Sequence, residues 1–318
     1  MINFLKNQTQ NLIEKIANKF FSSYLFKRHI DDIKFQNGLL FSNFLRSNLE
    51  SIKSLDEISF KTFSQNNEDS ILEYLILSLK LKDIKFVEIG TEDYSESNTR
   101  FLYEKYNCDG LIIDNTSDLI TKVSKQLDLW KGNLGIEENL VNRENINILI
   151  NKHFPEKNID IFSLDIDGID YWILKQLPDN ISKIIVAEYN PYFGPKLEIT
   201  VPYTENFNRT KYHPSNLCWG MSLRALINLM KEKGFNFVGS NSLRNNAFFV
   251  RSELFNLIGI DEIDNTNLYK YTRARFREYR NQAGELIYNN PDENFEIIKN
   301  CEVQDLKSNK ICKLKDLV

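Results

Sequence analysis

Four short, almost wholly apolar runs that each end at a glycine, acid or amide constrain this chain most: Lys85-Phe-Val-Glu-Ile-Gly90, Gly110-Leu-Ile-Ile-Asp114, Ile161-Phe-Ser-Leu-Asp165 and Lys183-Ile-Ile-Val-Ala-Glu188-Tyr-Asn190. A strand without polar alternation buries both faces, which is the habit of a parallel sheet covered by helices on each side. Helical patterns separate the runs. One follows Phe63 to Asp69 and carries Ile71, Leu72, Leu75 and Ile76, with Ser64 or a neighbouring Asn as its cap; another surrounds Arg100 to Tyr106. A third, from about Met221 to Lys233, stops at Gly234 and leads into Phe235 to Gly239 and Ala247 to Val250, which should pair as two antiparallel strands. The expected fold class is α/β, a doubly wound, mostly parallel sheet.

At 318 residues the chain is long enough for one large domain plus appendages. Residues 1–59 read as an N-terminal helical extension, 60–252 as the sheet domain and 253–318 as a more polar C-terminal appendage. In that appendage Tyr269 to Arg280 is expected as a basic aromatic helix and Pro291 to Lys299 as a last one. Leu12, Ile13, Ile16, Phe20 and Phe21 form an apolar stripe in the extension. It suits packing on the domain or on a second copy in a homo-oligomer; alternatively Phe20, Phe21, Phe26, Lys19, Lys27 and Arg28 suit peripheral contact with a membrane surface.

Charge and cysteines narrow the function classes. Lys and Arg number 40 against 44 for Asp and Glu, giving a net charge of −4 and no basic block, so no nucleic-acid partner is expected. The four cysteines, Cys108, Cys218, Cys301 and Cys312, lack metal-ligand spacing and read as reduced thiols of a cytoplasmic protein. The N-terminal stretch is broken by Lys6, Glu14, Lys15 and Lys19, unlike a signal peptide, and no transmembrane segment is expected.

In such a sheet ligands bind beyond the carboxyl ends of the strands, where strand order reverses. The polar residues gather there. Asp165 and Asp167 leave a buried strand on the same side, an arrangement that calls for a cation or polar ligand, while Asp167-Gly168 can turn the chain and Asp170 can cap the helix beginning at Tyr171. The segment Glu88 to Asn98 offers a glycine for close approach together with acids and hydroxyls. Asp114, about 25 residues further on, is where a doubly wound fold presents a carboxylate to ribose hydroxyls; a structural cap is its other reading. Together they imply a nucleoside.

The long aromatic connection 190–222 reads as a substrate lid. Within it His213 is a candidate base or a loop anchor, and Arg209 and Lys211, with Arg244 outside it, are candidates for an anionic acceptor. Tyr192, Phe193 and Trp219 suit core or sugar contacts.

In their order, Phe-Val-Glu-Ile-Gly, Ser-Asn-Thr-Arg-Phe-Leu, Leu-Ile-Ile-Asp, Ser-Leu-Asp-Ile-Asp-Gly-Ile-Asp-Tyr-Trp and Val-Ala-Glu-Tyr-Asn resemble the FkbM-like group of S-adenosylmethionine-dependent methyltransferases, over residues 60 to about 250. Of the glycine motif E/D-x-G-x-G-x-G, Glu88 and Gly90 match, while Glu92 and Tyr94 stand where glycines are expected. The resemblance implies a Rossmann-like seven-stranded sheet of order 3-2-1-4-5-7-6. By it, Glu88, Gly90, Thr91, Glu92 and Asn98 lie around the amino-acid part of S-adenosylmethionine, Asp114 takes the ribose and Asn115 lies near adenine. It further implies O-methyl transfer to a sugar, glycan precursor or natural product, with Asp165, Asp167 and His213 as catalytic candidates. Metal-dependent relatives suggest Mg²⁺ on Asp165, Asp167, Glu188 and Asn190. The alternatives are a metal-dependent enzyme acting on a phosphoester or glycosyl substrate without that cofactor, and a noncatalytic scaffold.

Overall fold

The computed structural model describes residues 10, 13–15, 19 and 24–318, except 157, 265, 274–277, 289, 291 and 292. Most of the apolar N-terminal stripe, Phe20 and Phe21 included, lies outside the described residues. Among the described residues no helix is long and apolar enough to cross a membrane.

Seven strands make the central sheet: β1 (Lys85–Ile89), β2 (Asp109–Asp114), β3 (Asn133–Glu138), β4 (Ile161–Leu164), β5 (Ile184–Glu188), β6 (Phe235–Ser240) and β7 (Asn246–Arg251). Their order is β3-β2-β1-β4-β5-β7-β6. The first five are parallel and β7 is antiparallel to both β5 and β6. This is the doubly wound class I methyltransferase fold. β1 lies between β2 and β4, with Glu88 in register with Ile112 on one side and Ser163 on the other. Strand order reverses between β1 and β4, so the site should lie there.

The alternation of side chains along β1 divides the interior. Val87 and Ile89 join Leu111, Ile113, Phe162 and Leu164 on one face, while Phe86 joins Ile112, Ile161 and Val186 on the other. The second face is covered by α2 (Glu68–Ser78) and α3 (Arg100–Tyr106). Residues of the N-terminal segment also pack there, namely Leu45 of α1 (Tyr24–Ser47), Ile52, Leu55 and Ile58. The first face carries α5 (Ile146–His153), α6 (Asp170–Gln176) and α7 (Leu223–Glu232), while α4 (Leu119–Ser124) follows β2. Ser64, expected as a cap, accepts a hydrogen bond from Asp69 N at 3.1 Å. Ser222 caps α7 by accepting from Ala225 N, and Gly234, at φ +81°, follows its end as expected.

Two readings of the outer chain are corrected. Tyr269 to Arg280 is not one helix: a helical turn covers Tyr269–Thr272, and Glu278–Arg280 is a strand paired with Leu286–Tyr288. Within the expected last helix, whose residues 291 and 292 lie outside the described residues, a helix covers Asn294–Ile298. The connection 190–222 is also more ordered than a bare loop. Its strand Ile199–Thr200 pairs with Glu302–Asp305, which pairs with Lys310–Lys313. A third apolar cluster, with Phe193, Ile199, Val201, Cys218, Cys301 and Val303, joins connection to appendage.

Candidate functional site

Beyond the ends of β1, β2, β4 and β5 opens a crevice of about 1650 Å³, lined among others by Glu88 to Glu92, Asp114, Asn139 to Val141, Asp165, Asp167, Glu188 and Arg209. It begins at the turn after β1. Gly90 has φ +84°, and a Cβ built there would lie 1.6 Å from the carbonyl oxygen of Asp165. Only glycine permits so close an approach of two backbones. Glu92 and Tyr94, the two positions where the motif expects glycine, also have positive φ, at +47° and +63°. The left-handed path is therefore kept without the glycines. Tyr94 is fully buried in the core with its hydroxyl 2.8 Å from Thr99 Oγ1, whereas Glu92 stays exposed at the crevice.

Asp114 closes this turn from the neighbouring strand. One carboxylate oxygen accepts Glu92 N at 2.8 Å and the other accepts Thr116 N at 2.8 Å. Each oxygen has a further acceptor site to offer a hydroxyl. Asn115 is exposed at the crevice rim beside it.

Glu88 is committed elsewhere. Its Oε1 accepts Asn98 N at 2.8 Å, and its Oε2 accepts Ser97 Oγ at 2.6 Å, Thr99 N at 3.0 Å and Thr99 Oγ1. Burial pushes the carboxyl up, and the Ser97 and Thr99 hydroxyls oppose that. Glu88 thus secures the segment before α3, and Asn98 adds a bond from Nδ2 to Ser163 Oγ at 3.0 Å. Thr91 is buried at the crevice, and its hydroxyl has no hydrogen-bond partner among the described residues.

The acids after β4 and β5 come together. One oxygen from each of Asp165, Asp167 and Glu188 lies within 4.8 Å of the others. Burial pushes Asp165 far above the usual carboxylate range, with repulsion from Asp167 and Asp170 adding to it. Glu188 is likewise pushed far up, first by burial and then by Asp165. Asp167 differs. It is exposed, has φ +55°, and is ion-paired with Arg209.

The surroundings of three further candidates bear on their expected roles. The side chain of Asn190, expected on a metal, is engaged with the backbone: its Nδ2 donates to Leu217 O at 2.9 Å and Trp219 O at 3.0 Å while its Oδ1 accepts Tyr192 N at 3.0 Å. It fastens the connection to the end of β5. Asp170 begins α6 rather than capping it. Its carboxylate accepts Ile166 N at 3.0 Å and Gly168 N at 2.9 Å, and burial pushes it up to about 6. His213 does not line the crevice; its Nδ1 lies 2.7 Å from Ser215 Oγ and its ring beside Cys301. It therefore takes the anchoring role. Arg244 is also buried, on Asp56 at 2.8 Å and Ser240 at 3.1 Å; Tyr192 and Phe193 are core, whereas Trp219 is buried but lines the crevice.

Arg209, expected to meet an anionic acceptor, is turned to other partners, and Asn246 was not foreseen at the site. Arg209 reaches Asp167 across 42 positions, donates to Asn216 O at 2.6 Å and lies 4.9 Å from the Trp219 ring centroid. Asn246 sits opposite Glu188 in the β5–β7 ladder, and its Nδ2 donates to Glu68 Oε1 at 3.1 Å. Its Oδ1 has no partner among the described residues. An Asn pair before a strand looks like turn chemistry, so only the antiparallel register reveals this placement.

No protein-family profile and no curated protein matches the chain. Among solved structures it is similar to an S-adenosylmethionine-dependent methyltransferase from Clostridium acetobutylicum, at 9% identity over 58% of this chain and 90% of that one, with a TM-score of 0.39. An O-methyltransferase family protein from Burkholderia thailandensis shares 12% identity over 58% of this chain and 57% of its own, TM-score 0.34. A cyclopropane synthase from Mycobacterium tuberculosis shares 12% over 61% and 70%, TM-score 0.35. The fold assignment rests on the strand order and register of the chain itself.

Proposed function

We propose that this chain is an S-adenosylmethionine-dependent O-methyltransferase whose acceptor is a hydroxyl of a saccharide or related natural product. The observation that carries the reading is the joint of Asp114 with the left-handed turn Gly90 to Tyr94, at the switch point of the sheet. It sets a carboxylate where a ribose diol is held and a close backbone where a sulfonium chain passes. The crevice is acidic, which suits a cofactor carrying a sulfonium and an ammonium. The saccharide class comes from the sequence resemblance.

Methyl transfer is an in-line displacement: the acceptor oxygen attacks the methyl carbon, the carbon–sulfur bond breaks, and the sulfonium becomes a neutral thioether. The protein has to align the two partners and accept the hydroxyl proton. Asp167, the exposed acid of the cluster, is placed to take that proton, with Arg209 fixing the carboxylate.

Mg²⁺ fits this site poorly. Asn190 is spent on the backbone of the connection, and Asp167 already has a cation in Arg209. That leaves a divalent ion, which wants six oxygens, the carboxyls of Asp165 and Glu188 alone. No step is assigned to a metal. Titration calorimetry with S-adenosylmethionine and S-adenosylhomocysteine, each with and without Mg²⁺, tests the reading. Binding of both without Mg²⁺ is expected; binding of neither under any condition rejects methyl transfer.

A further inference from the structure

We propose that Asp165, Glu188 and Asn246 form a subsite for a primary ammonium group, that of the cofactor's amino-acid end, in place of the acid that ends β1. The inference rests on the cofactor reading above. Its starting point is that Glu88 has nothing left to give. Four donors from Ser97, Asn98 and Thr99 converge on its two oxygens, and the residue is only 3% exposed.

Two strands away the situation is reversed. Glu188 is 5% exposed, yet its Oε2 accepts no hydrogen bond among the described residues. Asn246 is directly opposite in the antiparallel ladder, where side chains on one face stand about 5 Å apart. Its amide oxygen is buried and equally unpartnered. Asp165 completes the group from the end of β4, with an oxygen within 4.8 Å of one on Glu188. All three line the crevice. These groups make a place rich in buried acceptors and short of donors, a costly arrangement until a ligand supplies them.

Donor count and charge select the ligand. A hydroxyl brings one hydrogen and no charge, whereas an ammonium brings three N–H donors and a full positive charge. Nearby cationic chemistry is already engaged, since Arg209 is held by Asp167 and by Asn216 O. Without a cation, burial disfavours the charged forms of both acids, with Asp167 and Asp170 adding to it at Asp165 and Asp165 adding to it at Glu188. An ammonium would supply the donors and the positive charge that this group of acceptors lacks.

The experiment compares two probes on the full chain. S-adenosylhomocysteine carries the ammonium; 5′-methylthioadenosine has the same nucleoside and sulfur but no amino-acid end. Wild type should bind the first at least about tenfold more tightly, the weight of one charge-assisted hydrogen bond. Glu188→Gln, and independently Asp165→Asn, should abolish most of that preference while 5′-methylthioadenosine affinity stays within about twofold, which also shows that the crevice is intact. Equal affinity of wild type for both probes overturns the subsite and leaves the cofactor reading standing. So does a Glu188→Gln variant that keeps the full preference or loses both probes equally. Failure of wild type to bind either probe overturns the cofactor reading itself, and the subsite with it.

Discussion

Gly90 is the residue on which the geometry of the crevice turns. Its positive φ and the backbone of Asp165 leave no volume for a methyl group. Gly90→Ala should therefore cost about 3 kcal/mol of stability, well beyond an ordinary surface change, through strain and forced separation of β1 from β4. Chemical denaturation measures this, and a loss below about 1 kcal/mol would show that the two loops part easily. The acids around it illustrate how far residue identity can be read from a sequence. Asp165, Asp167 and Glu188 were legible because carboxylates at the ends of apolar strands need a reason to be there. The division of labour among Glu88, Asn190 and Asp170 was not, because it depends on which backbone N–H or C=O each side chain meets. Glu88 and Asp170 collect N–H groups, and Asn190 binds two carbonyls and one N–H. None of these partners has a signature in residue type.

Among the elements, the connection 190–222 carries the most consequence. It was legible as a long aromatic segment beside the site, but not as a strand partner of the C-terminal appendage, since a two-residue strand has no period to detect. Among its attachments are Asn190 at one end, the Ile199–Thr200 pairing in the middle, Tyr212 OH on Glu302 O, and Arg209 spanning from Asp167 to Asn216 and Trp219. Replacing Arg209 by Ala leaves Asp167 unpaired and the turn Arg209–Tyr212 tethered on one side only. Chymotryptic cleavage after Phe207 or Tyr212 should then run several-fold faster under native conditions, since local opening sets such rates. A cleavage rate equal to that of wild type would mean that Arg209 does not hold the segment. β3 shows the opposite limit. Asn133 to Glu138 is an edge strand, half-exposed and holding a glycine and two glutamates, so its sequence lacks the apolar run that marks its neighbours.

At the scale of the whole molecule, six strands of the sheet can be read from apolar runs, and the seventh position follows only from the resemblance to a known family. Their order brings side chains at the ends of β1, β2, β4, β5 and β7 to one edge, although these residues are spread over about half of the chain. That edge is where the account stands or falls. Its central claim is that the cofactor lies across the carboxyl ends of these strands, adenine toward Asn115 and the amino-acid end toward Glu188. The most direct measurement is an experimental structure of the chain with S-adenosylhomocysteine. The account predicts ribose hydroxyls on the Asp114 carboxylate and the ammonium between Asp165, Glu188 and Asn246. A nucleoside bound outside this crevice, or bound within it with its ribose away from Asp114, would contradict it.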